Sequence, residues 1–256
     1  VQEGEINMRK ATMAAAAALT LAGLLLAASD PWKAKPYSQW DANEVRKVLN
    51  DSPWAKLVVV PASWRPDSGS AGSGGGLNPT GGPASARSGG GRGAPGGSAG
   101  GGTDTGSPTA EFQVRWSSSR TIRAAALRSL ALANQSVDPD AEKQVAAPEN
   151  YYEVAVVGRD MQPFIGTSED ALKASTFLML KKSKQRVSPE SASVAVGADG
   201  KTVQVVTFRF PKTSPAGQAI IGADEKSIEF TAAAGKVNIK ASFDIAKMED
   251  ATGRDL

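Results

Sequence analysis

The second half of the chain is written mostly in a two-residue period. Val237, Ile239, Ala241, Phe243 and Ile245 alternate with polar positions, the pattern of a strand with one buried face. Ile228 and Phe230 lie across Ala234-Gly235 from that run, as the first arm of a hairpin. Val194 and Val196 precede Asp199-Gly200, a dipeptide that favours a type I′ turn, and Thr202–Phe210 is the returning strand. Thr176-Phe177-Leu178-Met179-Leu180 is apolar throughout and reads as a buried strand, while Tyr152–Val156 alternates. Upstream, Lys56–Val60 and Glu111–Trp116 complete eight strands.

A helical period appears in three places. Asp41 with Glu44 three residues later approximates a capping box, followed by Val45, Val48 and Leu49 and stopped at Asn50-Asp51-Ser52-Pro53. Ser119 caps a second helix from Arg120 to about Ala133. Ile122, Ala125, Ala126, Leu130 and Ala133 form its apolar stripe, and Arg120, Arg123 and Arg128 form a solvated face. Ser168, with Glu169 and Asp170 in the first turn, starts a short third helix ending near Lys173. Mostly hairpin-connected strands with few helices predict an α+β fold built on one mostly antiparallel sheet.

Two segments break this pattern. Residues 65–110 contain 17 Gly, 7 Ser and 5 Pro, with Leu77 the one apolar side chain larger than Ala apart from the prolines. Such a composition cannot offset its ordering entropy and predicts disorder, with chain ends about 35–40 Å apart on average. Because closing a loop costs only about 0.6 kcal/mol per doubling of its length, the segment reads as an overgrown hairpin loop. It contains a GxGxxG match at Gly91–Gly96 and a GxSxG match at Gly96–Gly100. Both motifs need a preceding strand and a following helix, which this composition does not supply.

The other exception is N-terminal. Met8-Arg9-Lys10 leads into an uncharged run from Ala11 to Ala28, and Ala27-Ala28-Ser29 places small residues before Asp30. Basic, apolar and small-residue regions in that order predict a secretory signal peptide over residues 1–29, cleaved between Ser29 and Asp30. Glu3 and Glu5 suit no such leader, so residues 1–7 read as artefactual. The expected organisation is a leader, a helix and strand over 30–64, the insert over 65–110, and the rest of a single domain over 111–256.

Composition narrows the chemistry. There is no His and no Cys, which removes Ser-His-Asp and Cys-His catalysis and the usual zinc, copper, haem and iron–sulfur ligand sets. A net charge of +3 points to no dedicated nucleic-acid binder. Carboxylates alone can hydrolyse glycosides, and the candidates are Asp138, Asp140 and Glu142, in a polar connection around Pro139, or Asp224 and Glu225, in a turn; exposed carboxylates in such places make poor general acids. The five tryptophans all precede residue 117. Trp40, Trp54, Trp64 and Trp116 are the candidates for a partner or carbohydrate surface. The competing reading is that they staple the first helix and hairpin to the sheet.

Tyr37-x-x-Trp40, Val45-x-Lys47-x-Leu49, Asp51-Ser52-Pro53-Trp54-Ala55-Lys56 and Val114-Arg115-Trp116-Ser117-Ser118 resemble segments shared by a group of exported bacterial proteins. In that group they stand around a Gly-rich stretch of variable length, and the C-terminal part is similar to Ile228–Phe230 and Ile239–Met248 here. The resemblance implies export and a single domain, and brings no activity, site or cofactor. The sequence therefore predicts a secreted or periplasmic, non-enzymatic binding or structural protein. It would act on a protein or envelope-surface partner, with no cofactor, no metal, no specific nucleic acid and no membrane span after processing. A carbohydrate-interacting protein, and behind it a carboxylate-only glycoside hydrolase, are the alternatives.

Overall fold

The computed structural model describes residues 30–64, 108–138 and 140–256. The expected leader, most of the Gly-rich insert and both glycine motifs lie outside them. The fold is α+β, and all of its strand pairs are antiparallel.

Five helices occur among the described residues: α1 (Pro31–Ala34), α2 (Ala42–Asn50), α3 (Arg120–Leu132), α4 (Ala141–Ala146) and α5 (Glu169–Ala174). The longer strands are β1 (Ala55–Pro61), β2 (Thr109–Trp116), β3 (Tyr151–Gly158), β4 (Thr176–Leu180), β6 (Ser191–Val196), β7 (Val203–Pro211), β8 (Ser227–Ala234) and β9 (Val237–Asp244). These are the eight strands the periodicity predicts. Three two-residue strands, β5 (Arg186–Val187), β10 (Glu249–Asp250) and β11 (Gly253–Arg254), carry too few side chains to show a period.

The strands do not form one sheet, as the sequence reading expects, but two sheets and a ribbon. One sheet has the order β1-β2-β3-β7-β6, the other β5-β4-β8-β9, and β10 pairs with β11. Alternation fixes which side of a strand is buried but not which strand lies beside it. The inner faces pack on each other through aromatic rings: Phe208 on Phe230 at 5.6 Å, Phe210 on Phe230 at 6.4 Å and Trp116 on Phe243 at 5.4 Å between centroids. β1 also lies alongside β9, so the two sheets approach at that edge. The buried apolar side chains form one cluster.

β1 pairs with β2 from Ala55↔Arg115 to Pro61↔Thr109. Thr109 and Ala110, placed in the insert by composition, therefore belong to the strand, and Ala110 is buried. A small residue next to a Gly-rich tract gives no compositional sign of strand. The Ala62 N–H donates to the Pro108 carbonyl at 2.7 Å, so the two strand ends meet. Replacing residues 65–107 by a Gly-Ser turn of about five residues should keep this pairing. It should raise stability by roughly 1–2 kcal/mol, at about 0.6 kcal/mol per halving of loop length. A thermal midpoint well below the parent's would show that the segment supplies contacts and is not a mere connection.

The turns follow local chemistry. β8 and β9 join through Gly235-Lys236, with φ positive at Gly235 alone, the signature of type II′. The β6–β7 connection is not the expected type I′ turn. Only Gly200 has positive φ, Gly200 N–H closes a turn on the Gly197 carbonyl, and Gly197 N–H bonds Thr202. Asp199 accepts from the N–H groups of Lys201 and Thr202 and from the Thr202 hydroxyl. Those bonds, the hydroxyl's first, hold its carboxyl down at about 2, and they select the longer loop.

The helix signals hold at their starts. Asp41 accepts from Asn43 and Glu44 N–H at 2.8 and 2.9 Å, and Glu44 accepts from Asp41 N–H at 2.8 Å. Ser119 accepts from Ile122 N–H, and Ser168 from Ala171 N–H. The apolar stripe of α3 holds for its first half only. Thr121, Ile122, Ala124 and Ala125 are buried, whereas Ala126 and Leu130 are exposed, because the distal half of the helix extends past the core.

The arginine face of α3 is not the solvated face expected. Arg120 bonds Asp250 and pairs with Asp255. Arg123 bonds the carbonyls of Gln144 and Ala147 and the Glu149 carboxylate. Arg128 donates to the Trp40 carbonyl at 2.8 Å. Each arginine ties a different segment to the helix.

Candidate functional site

Trp54 and Trp116 are fully buried and Trp40 is 3% exposed. The Trp54 indole N–H donates to the Asp255 carbonyl at 2.6 Å, and that of Trp40 to the carbonyls of Pro31 and Lys35. Trp116 packs edge-on against Phe243 and tilted against Tyr152. Trp64 is half-buried, donates to Asp160 and touches Phe112. The four rings are thus stapled into the fold; Trp54 and Trp116 present no open face to a partner or to a sugar, and Trp40 shows only an edge. An indole is large enough to be the best core residue and polar enough to suit a surface, so sequence alone does not separate the two uses.

The carboxylate candidates do not converge. Asp138 and Asp140 are exposed, and Asp138 accepts from Asp140 N–H. Glu142 lies beside the Tyr37 hydroxyl. Asp224 pairs with Lys182, whose hydrogen bond holds its carboxyl below the ordinary 3.8. Glu225 is not an exposed turn residue as expected: it is buried, and accepts from the N–H groups of Lys182 and Ser183. Among the described residues no group of acidic side chains is placed to hold a metal ion.

Among the described residues there is a groove of about 550 Å³. Its walls come from four segments: residues 32–37 with Trp40, the first turns of α3, the end of α4, and the turn at 250–252. Each wall has a local cause. Pro31 begins α1, and the Trp40 indole draws the chain back by bonding carbonyls at both ends of that helix. Trp32 stands edge-on to Trp54 at 5.5 Å and leaves its indole N–H without an acceptor, so it serves the wall through its ring alone. Tyr37 reaches α4 through Glu142. Burial first, then the neighbouring Glu142 carboxylate, raises its hydroxyl above the ordinary 10.0. Arg120 holds the turn at Asp250, and Asp250 in turn accepts from the Thr252 N–H and hydroxyl.

Beneath the groove, Asp255 fixes α3. It is 3% exposed and accepts from the N–H groups of Arg120 and Thr121 at 2.8 and 2.9 Å. It therefore caps the helix together with Ser119, and the helix N-terminus has no free donors for a ligand. No sequence signal marks this cap, because its donor and acceptor are far apart in the chain.

A second, polar hollow of about 380 Å³ lies where α3 meets β3 and β7. Its charges are already paired, Arg123 with Glu149 and Arg209 with Glu153. No family model matches the chain, and no curated protein or solved structure matches it.

Proposed function

We propose that this chain is an exported, non-enzymatic binding protein of the bacterial envelope or periplasm, a member of the exported group it resembles, and that it makes its contact through the groove. The observation that carries the reading is the groove itself. It has the size and mainly apolar lining of a small-molecule site, and one wall is built from residues 32–40, directly after the expected cleavage point. The residue types that serve most catalysis, His and Cys, are absent from the sequence. Among the described residues no helix is long and apolar enough to cross a membrane.

The test is in two parts, on the full chain made in bacterial cells. Mass spectrometry of the N-terminus should find Asp30. A photo-crosslinker at exposed Ala251, in the groove wall, should capture one reproducible envelope component. The same crosslinker at exposed Ala195, on β6, should not. An unprocessed N-terminus, or equal capture from both positions, would overturn the reading.

A further inference from the structure

We infer that the groove takes a single-chain anionic amphiphile, a long-chain fatty carboxylate, with its head at Lys33. This deepens the proposed binding role and rests on it. The argument starts from what the lining can and cannot satisfy. Ala34, Ala124, Ala146 and Ala251 line the groove with methyl groups, together with Trp32 and Trp40. Few polar hydrogens are offered nearby: the Trp40 N–H is spent on two carbonyls and the Thr252 hydroxyl on Asp250, while the unpaired Trp32 N–H is buried away from solvent. A peptide backbone or a sugar brings many donors and acceptors into such a site and leaves them unpaired, at a cost for each. A polymethylene chain brings none.

The charges name the head group. Of the ionised side chains lining the groove, Arg120 is held by Asp250 at 3.1 Å and by Asp255 at 3.6 Å, and Lys35 by Glu44 at 2.9 Å. Lys33 is exposed and, among the described residues, has no carboxylate within ion-pair distance. One unpaired cation beside an apolar cleft complements one anionic head on one apolar tail. The volume of about 550 Å³ falls in the range of sites that enclose such molecules.

The experiment titrates the full chain with hexadecanoate, and separately with hexadecyltrimethylammonium, both below their micelle concentrations, following tryptophan fluorescence and calorimetric heat. Hexadecanoate should bind at one site, and the cationic amphiphile of equal tail at least about tenfold more weakly. Lys33→Glu should weaken hexadecanoate by roughly three- to tenfold, the scale of one exposed ion pair reversed. Ala251→Trp, at an exposed turn position, should block the tail without touching the core. Equal binding of the two amphiphiles, no effect of Lys33→Glu, or uptake only onto anionic or neutral vesicles would overturn the inference. If hexadecanoate fails while the Ala251 crosslinker still captures its envelope component, only the ligand class falls. If both fail, the binding role falls with it.

Discussion

Replacing Asp255 by Ala should lower the free energy of unfolding by about 2–4 kcal/mol. Loss of a helix cap costs about 1–2 kcal/mol. Here the freed donor on Thr121 is buried, and an unmet buried donor adds about 1–3 kcal/mol. Arg120 also loses the acceptor of its main-chain N–H and one of the two carboxylate partners of its side chain. In a domain of this size the midpoint should fall by roughly 5–15 °C. Asp255→Asn keeps one acceptor oxygen but turns an amide donor toward an N–H, so it should recover only part of the loss. Calorimetry of both variants decides the matter, and an Asp255→Ala protein that melts with the parent would show that Ser119 alone suffices.

Trp116→Ala should cost about 3–5 kcal/mol, the usual range for emptying a buried aromatic site. The ring touches Tyr152 in its own sheet and Phe243 in the other, so its removal loosens the contact between the sheets. Trp116→Phe should be mild, below about 1.5 kcal/mol, for a reason visible in the structure. The indole N–H of Trp116 has no acceptor, so Phe gives up no hydrogen bond and relieves an unmet donor. Urea unfolding measures both. A stable Trp116→Ala variant would mean that this ring is not part of the core.

The eight longer strands and three of the helices were legible because each carries its own period or cap. β9 alternates buried and exposed without exception, and the Asp41 capping box is complete within four residues. The partition into two sheets was not legible, since β3 pairs with β7 and β4 with β8 across intervening strands. Residues 31–34 and 141–146 are too short to show a helical stripe. The groove was hidden for a related reason. Trp32, Arg120 and Asp250 meet there from three distant parts of the chain, and nothing near any one of them in sequence points to the others. The arginines of α3 illustrate the same limit. A period marks them as a polar face, but only the fold shows that Arg123 and Arg128 end on carbonyls of other segments.

The tie between Trp54 and Asp255 spans 201 residues, and this has a bearing on how the protein is made. Chains leave the ribosome from the N-terminus, so β1, with the ring just before it, emerges long before its partner does. Until the codon for residue 255 has been read and its product released, α3 waits for its second cap and Trp54 for its acceptor. The unfinished polypeptide therefore lacks that tie, and the second helix cap with it, until residue 255 has been made.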